Sequence, residues 1–192
     1  MVERFLAERG LSLSPEKTRI THIEDGFDFL GMNVRKYGRK LLIKPAKANV
    51  QRFLRKLRDI VKDNATVRHD WLIRKLNPLI RGWANYHRHV VSKRVFGKVS
   101  LEIWRCLWRW AQRRHPNKGA RWVRRKYFRT VDARHWVFGT ETGKVPSTGA
   151  PELLALHDIA NTPIRRHRKI KAAANPFDPQ WESISRSVLA SR

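Results

Sequence analysis

The side chains with chemistry to offer are basic and aromatic. Arg105, Arg109 and Arg113 recur every four residues, so on a helix they fall on one face. Arg121, Arg124, Arg125 and Lys126 crowd the next element. Such a row can track a phosphate backbone, because guanidinium groups grip phosphates bidentately and each neutralised phosphate releases counterions. Arg81, Arg88, Lys93, Arg114 and Lys118 lie in the same stretch and complete the candidate nucleic-acid surface. The competing description is a solvated helix face. Solvated faces normally interleave acids, whereas residues 81–129 hold fifteen Lys and Arg against the single acid Glu102.

Tryptophan is abundant, at eight residues, and Trp104, Trp108, Trp110 and Trp122 fall within the basic stretch. Aromatic faces among Arg and Lys are the ingredients of base stacking on single-stranded or looped RNA. Trp83, Trp104 and Trp110 fit apolar helical stripes and are assigned to the core; Trp108 is the best candidate for exposure. His87 and His89, two apart, cannot chelate a metal as an i, i+4 pair would. His115, His135, His157 and His167 are scattered. These histidines are read as surface or capping residues, and no metal or cofactor is expected. Paired carboxylates suited to two metal ions, a phosphate-cradling Gly-rich loop and a recognisable nucleophile setting are all missing, so no catalytic residue is assigned.

The net charge of +26 exceeds what solubility requires and is self-repelling in a compact state, which calls for a polyanionic partner. The apolar runs are only a few residues long and no signal peptide follows Met1, so nucleic acid is favoured over an anionic membrane. One cysteine, Cys106, in an apolar, Trp-rich run points to a reducing cytoplasm. Charge is uneven: residues 1–30 hold four bases and six acids, residues 31–62 eleven bases and one acid, and residues 130–192 nine bases and six acids.

The elements that must carry these residues follow from periodicity. "MVERFLAERG" reads as a short helix closed by Gly10. Phe5, Leu6, Leu11 and Leu13 have little around them in sequence to cover them, as if an upstream partner were lost. "TRITHI", "FDFLGMNVRKY" and "KLLIKP" read as strands, with turns at Glu24-Asp25-Gly26 and Tyr37-Gly38-Arg39. Val50, Phe53, Leu54, Leu57, Ile60 and Val61 mark a first long amphipathic helix. A second starts near Val67, with Leu72, Leu76, Leu79, Ile80 and Trp83 inward and Pro78 as a kink or restart. A third runs from about Lys93 to Arg114, with Phe96, Val99, Ile103, Cys106 and Trp110 on one face. "GARWVRRKYF" is a short fourth, "RHWVFGTETGK" a brief hairpin, and the remainder a loose tail with the basic patch "IRRHRKIK". The expected fold is α+β, mainly α, with a small N-terminal antiparallel sheet, a helical bundle and a loosely packed C-terminal tail.

"LNPLIRGWANYHRHVVSKRVF" and "IWRCLWRWAQRRHPNKGARWVRRKYF" closely resemble the maturase-specific region, domain X, of group II intron-encoded proteins. "LSLSPEKTRITHIEDGFDFLGMNV" resembles the last block of their reverse-transcriptase domain, with its FxFLG signature at Phe27, Phe29, Leu30 and Gly31. The resemblance runs from about Phe5 to Trp181. It implies that residues 1–45 are the end of a palm, residues 46–129 a helical thumb and domain X, and residues 130–192 a variable, DNA-interacting tail. It further implies binding of structured group II intron RNA, with help to its folding and splicing. The family's YADD-type polymerase motif does not occur in the sequence, nor does a Cys/His-bearing HNH endonuclease, so a non-enzymatic fragment is expected. Two alternatives stay open: a sequence-independent DNA-binding module, and an inactive fragment needing a separate fingers-palm chain.

Overall fold

A computed structural model describes residues 2–16, 18–144 and 151–165 of the chain. A short helix α1 (Val2–Ala7) precedes a three-stranded sheet of β1 (Phe27–Phe29), β2 (Met32–Tyr37) and β3 (Lys40–Pro45). Helices α2 (Lys47–Asp63), α3 (His69–His87), α4 (Lys93–Arg113) and α5 (Ala120–Tyr127) follow. A second sheet comprises β4 (Phe128–Val131), β5 (Arg134–Lys144) and β6 (Pro151–Ala155), and a single 3-10 turn covers Ile159–Asn161. Both sheets are antiparallel, in the orders β1-β2-β3 and β4-β5-β6. The α+β class matches the sequence reading. No helix among the described residues is long and apolar enough to cross a membrane.

The helical core forms because apolar residues recur every three or four positions on each long helix. Phe53, Leu57 and Val61 of α2 meet Leu72, Ile73, Leu76, Ile80 and Ala84 of α3 and Phe96, Val99, Ile103, Leu107, Trp110 and Ala111 of α4. Each large side chain among them contributes about 1.5–3 kcal/mol by leaving water. Cys106, expected on the inward face of α4, is half-buried, and Leu107 takes the fully buried position. Pro78 neither stops nor restarts α3, which is continuous from His69 to His87. Its ring is exposed while the flanking Leu76, Asn77 and Ile80 are buried, so core packing outweighs the one lost backbone hydrogen bond.

The N-terminal sheet differs from expectation in two places. "TRITHI" is not a strand: Ile20 is 98% exposed, and the segment ends in a turn in which the Asp25 and Gly26 amides donate to the His22 carbonyl. Its contact with the sheet is a hydrogen bond from the Lys36 amide to the Ile23 carbonyl. "FDFLGMNVRKY" is two strands, because Leu30 and Gly31 both adopt positive φ (48° and 75°), the signature of a type I′ hairpin turn. Phe29 therefore pairs with Met32 and Phe27 with Val34, which collects Phe27, Phe29, Met32 and Val34 on one face. Gly38, at φ 55°, makes the two-residue turn into β3.

Three contacts bolt this sheet to the helices. The Tyr86 hydroxyl donates to the Leu30 carbonyl (2.6 Å), the Val91 amide donates to the Ile43 carbonyl (2.9 Å), and Asn49 reaches α3. The Trp83 indole N–H donates to Asn49 Oδ1 (2.8 Å), with His87 Nε2 3.1 Å from the same oxygen. Gly31 lies over the Asn49 amide so closely that a β-carbon there would meet Nδ2 at 2.5 Å. Trp83 also stacks on Phe53 (4.7 Å between ring centroids) and meets Phe96 edge-on, in line with its assignment to the core. His87, expected at the surface, is wholly buried.

The second sheet corrects the expected hairpin within "RHWVFGTETGK", which is one strand, and packs residues 151–161 of the expected tail against it and the helices. β5 is an 11-residue strand shared by two partners, and Phe128, Phe138 and Ile159 join the helical core. The clamp is Asn77 on α3: its Nδ2 donates to the Ala155 carbonyl (3.0 Å) and its Oδ1 accepts from the His157 amide (2.7 Å). Asp158 accepts from Ser100 Oγ, the Ala160 amide and Arg134. His69 is wedged between Phe138 and Tyr127, at ring distances of 4.2 and 5.0 Å. The patch "IRRHRKIK" falls outside the described residues beyond Arg165.

Two outcomes follow from this packing. Trp83→Ala, which removes a core aromatic and one of two partners of the Asn49 oxygen, is expected to cost about 3–5 kcal/mol in urea unfolding, against about 1–3 kcal/mol for Asn49→Ala, which leaves the indole donor unpaired. Parent-like unfolding of both variants contradicts the junction described. The second outcome concerns acid. Burial, with His89 adding to it, pushes His87 down to about 4; burial, then Arg129, does the same to His69. The unfolded chain takes up these protons near pH 6.5 and the native chain near 4, so stability is complete above pH 6.5 and falls as pH drops toward 4. The slope is at most about 1.4 kcal/mol per pH unit for each histidine. The dependence of stability on pH across this window should flatten in His69→Phe by up to about 1.4 kcal/mol per pH unit, its own contribution being removed.

Candidate nucleic-acid interface

Helix α4 presents Arg105, Arg109 and Arg113 to solvent because the opposite positions are consumed by the core. Facing them across a groove, α2 offers Arg58 and Lys62, again four apart and off the apolar stripe. The groove encloses about 530 Å³, with Val61, Cys106 and Trp110 among its apolar lining and Arg58, Lys62, Arg109 and Arg113 among its basic residues. Its acids are Asp59 and Glu102. Glu102 accepts from Arg58 and from Arg105, each at 2.9 Å, and the bonds from Arg105 and Arg58 hold its carboxyl below the usual range. Arg58 is thus tethered to Glu102 across the α2–α4 seam and Arg105 to the same carboxylate within α4, whereas Arg109 and Arg113 make no ion pair among the described residues. Burial raises the Cys106 thiol above its ordinary value, so it is a neutral wall of the groove.

The other basic residues divide by what they touch. Arg114 donates to the Ala65 and Val67 carbonyls (2.9 and 2.6 Å) and lies over the Trp110 ring, so it ties α4 to the α2–α3 connection. Lys93 donates to the Ala160 carbonyl (2.6 Å) and holds the 3-10 turn. Arg88 is half-buried at the end of α3, where its carbonyl accepts from the Arg165 amide. Arg81 is exposed, on the wall of a separate hollow that includes Trp136 and His157. Nearby charge from Arg81 assists burial in lowering the His157 pKa.

Helix α5 gathers Arg121, Arg124 and Arg125 with Arg129 around a hollow of about 570 Å³ that also includes Glu141. Arg129 caps the helix, donating to the Arg125 carbonyl (2.8 Å), and its Nε lies 3.5 Å from Glu141. Arg124 covers the Trp136 ring at 4.6 Å. Lys118 and Lys126 flank Trp122 at 5.8 and 4.9 Å from its centroid. Trp108, expected to be exposed, is half-buried: it stacks on Trp104 (6.0 Å, 5° between planes) and meets Trp136 and Phe128. Among the described residues the exposed indoles are Trp71, Trp122 and Trp136. The α2 wall of the groove was missed in sequence; its signal was the four-residue spacing of Arg58 and Lys62.

The basic α2–α4–α5 surface can be set against known families. Residues 50–128 match the family model of the group II intron, maturase-specific domain. Over those residues the chain is similar to the group II intron maturases. The match begins on α2 and ends at Phe128, so it covers the whole of α3, α4 and α5 and both walls of the groove. It supports a role for this maturase-related chain in group II intron splicing and RNA binding. No curated protein matches the chain.

The free arginines on this surface should carry the salt-dependent part of binding. Arg109→Ala, Arg113→Ala and Arg125→Ala, combined, are expected to weaken RNA binding and to flatten the slope of log affinity against log salt by roughly 0.7–0.9 per lost phosphate contact, with the melting temperature unchanged. Titrations across a salt series decide it: an unchanged slope makes the row a solvated face.

Proposed function

We propose that this chain is an RNA-binding maturase-type protein that grips structured group II intron RNA and assists its folding and splicing, without polymerase or nuclease chemistry of its own. The observation that carries the reading is the match of residues 50–128 to the maturase-specific domain, laid over a surface on which no acid occurs between Glu102 and Asp132. In this reading Arg109, Arg113, Arg121 and Arg125 hold phosphates, while Arg81 and Arg88 extend the contact from α3. Arg114 and Lys93 support the surface through backbone carbonyls, and Arg105 stands on it paired with Glu102. A half-buried, neutral Cys106 suits a reducing cytoplasm.

The N-terminal sheet supports a second element of the proposal. Phe27, Phe29, Leu41 and Ile43 lie on one sheet face and are all exposed. A separate fingers-palm chain is the partner proposed for that apolar face, with the segment beyond Arg165 touching a DNA target.

The test is competition. At about 0.15 M salt, a folded group II intron RNA should bind at least about tenfold more tightly than duplex DNA of equal length, a preference of ~1.4 kcal/mol. The chain should also raise the yield of spliced intron at limiting Mg²⁺. Equal affinity for the two polyanions would instead favour a sequence-independent DNA-binding module.

A further inference from the structure

The exposed tryptophans differ in their surroundings. Trp136 is covered by Arg124 and locked into the cluster with Trp104, Trp108 and Phe128. Trp71 follows Asp70, which pairs with Arg68, and has a single nearby ammonium, Lys75, at 5.9 Å. Trp122 is 38% exposed, stands in the acid-free stretch between Glu102 and Asp132, and carries two ammonium groups beside its ring.

The indole is also held in place. Its ring meets His115 at 4.7 Å and 71°, and His115 Nε2 lies 2.8 Å from the Tyr127 hydroxyl, a buried side chain at the far end of α5. Burial, followed by Lys126, Arg114 and Lys118, lowers the His115 pKa and so disfavours a charged imidazole beside the ring. A fixed, exposed indole between two flexible cations has the chemistry of a nucleobase seat. An exposed cation–π contact is weaker than base–aromatic stacking, so a base can displace an ammonium from the ring and leave that ammonium to a phosphate.

We propose that Trp122, with Lys118 and Lys126, forms a stacking platform for one unpaired base of a single-stranded nucleic-acid segment, the lysines taking the adjoining phosphates. The platform deepens the RNA-binding reading and rests on it. It gives the α5 end of the surface a preference for loops and strand ends over continuous duplex, because a paired base has no free face to offer.

The experiment measures binding of oligouridylate, oligothymidylate and duplex RNA of the same length to the full chain and its variants. Trp122→Ala and Trp122→Leu should bind both single strands about 5- to 100-fold more weakly, with duplex RNA bound within about twofold of the parent. Trp122→Phe, which restores a π-face, should return most of the loss. Trp122→Leu keeps apolar bulk and so controls for folding, checked by its melting curve. Comparable losses on the two single strands identify the base as the ligand, whichever sugar carries it. Parent-like binding of single strands by both variants overturns the platform and leaves the indole to a protein partner. Equal losses on single strand and duplex overturn it in favour of a structural role. If the parent binds none of the three, the RNA-binding reading fails with it.

Discussion

The fold depends on one side-chain oxygen. Asn49 Oδ1, at the start of α2, lies within hydrogen-bonding distance of both Trp83 and His87 on α3, while the rest of the Asn49 side chain supports the Gly31 turn. The N-terminal sheet therefore reaches the helical core through a polar junction rather than through an apolar face. Its geometry is demanding: the acceptor is half-buried beside the Trp83 and His87 rings, and any shift of α3 against α2 leaves at least one donor unpaired. The two sequence signatures, FxFLG and RGWANYH, meet at this point, since Leu30 accepts from Tyr86 and Gly31 lies over Asn49.

A chain with 42 Lys and Arg must place its cations without blowing itself apart. Several are spent inside the molecule, as donors to backbone carbonyls that would otherwise be loose ends: Arg114 at the α2–α3 connection, Arg129 at the end of α5, Lys93 at the 3-10 turn. Glu102 absorbs two more. What is left over, on α4 and α5, is a field of one sign with few internal partners. Charge count alone cannot separate the structural cations from the free ones, because both kinds alternate along the same helices; the distinction lies in which carbonyls are within reach.

The helices were legible in the sequence because their apolar stripes are long and regular; Phe53, Leu57 and Val61 or Phe96, Val99 and Ile103 admit one period only. The sheets were less so. "TRITHI" alternates like a strand but finds one backbone hydrogen bond to the sheet, and the turn at Leu30 depends on a positive φ that a leucine does not advertise. The packing of residues 128–165 was hidden because its anchors are sparse and polar: Asn77, Asp158 and a wedged His69 look like surface residues to any hydrophobic pattern. Of the candidate site, the α4 and α5 cations were visible by spacing. The α2 wall was not, since Arg58 and Lys62 join the site only through the α2–α4 crossing. The burial of Trp108 arises from Trp136, a residue 28 positions later, at a positive φ of 66°.

The Asn77 clamp orders the chain in time. Its amide joins α3 to residues 78 and 80 positions downstream, among the more distant contacts in the molecule, while the helices close over much shorter loops. Local contacts form first and distant ones wait for the chain to come round. During synthesis, domains assemble from the N-terminal side as residues emerge, so α2, α3 and α4 can pack while Asn77 still faces water and the seat for β6 stands open. Only when His157 has left the ribosome can the amide exchange solvent for backbone. Among the described residues, β6 is then a strand added late to a preformed helical face.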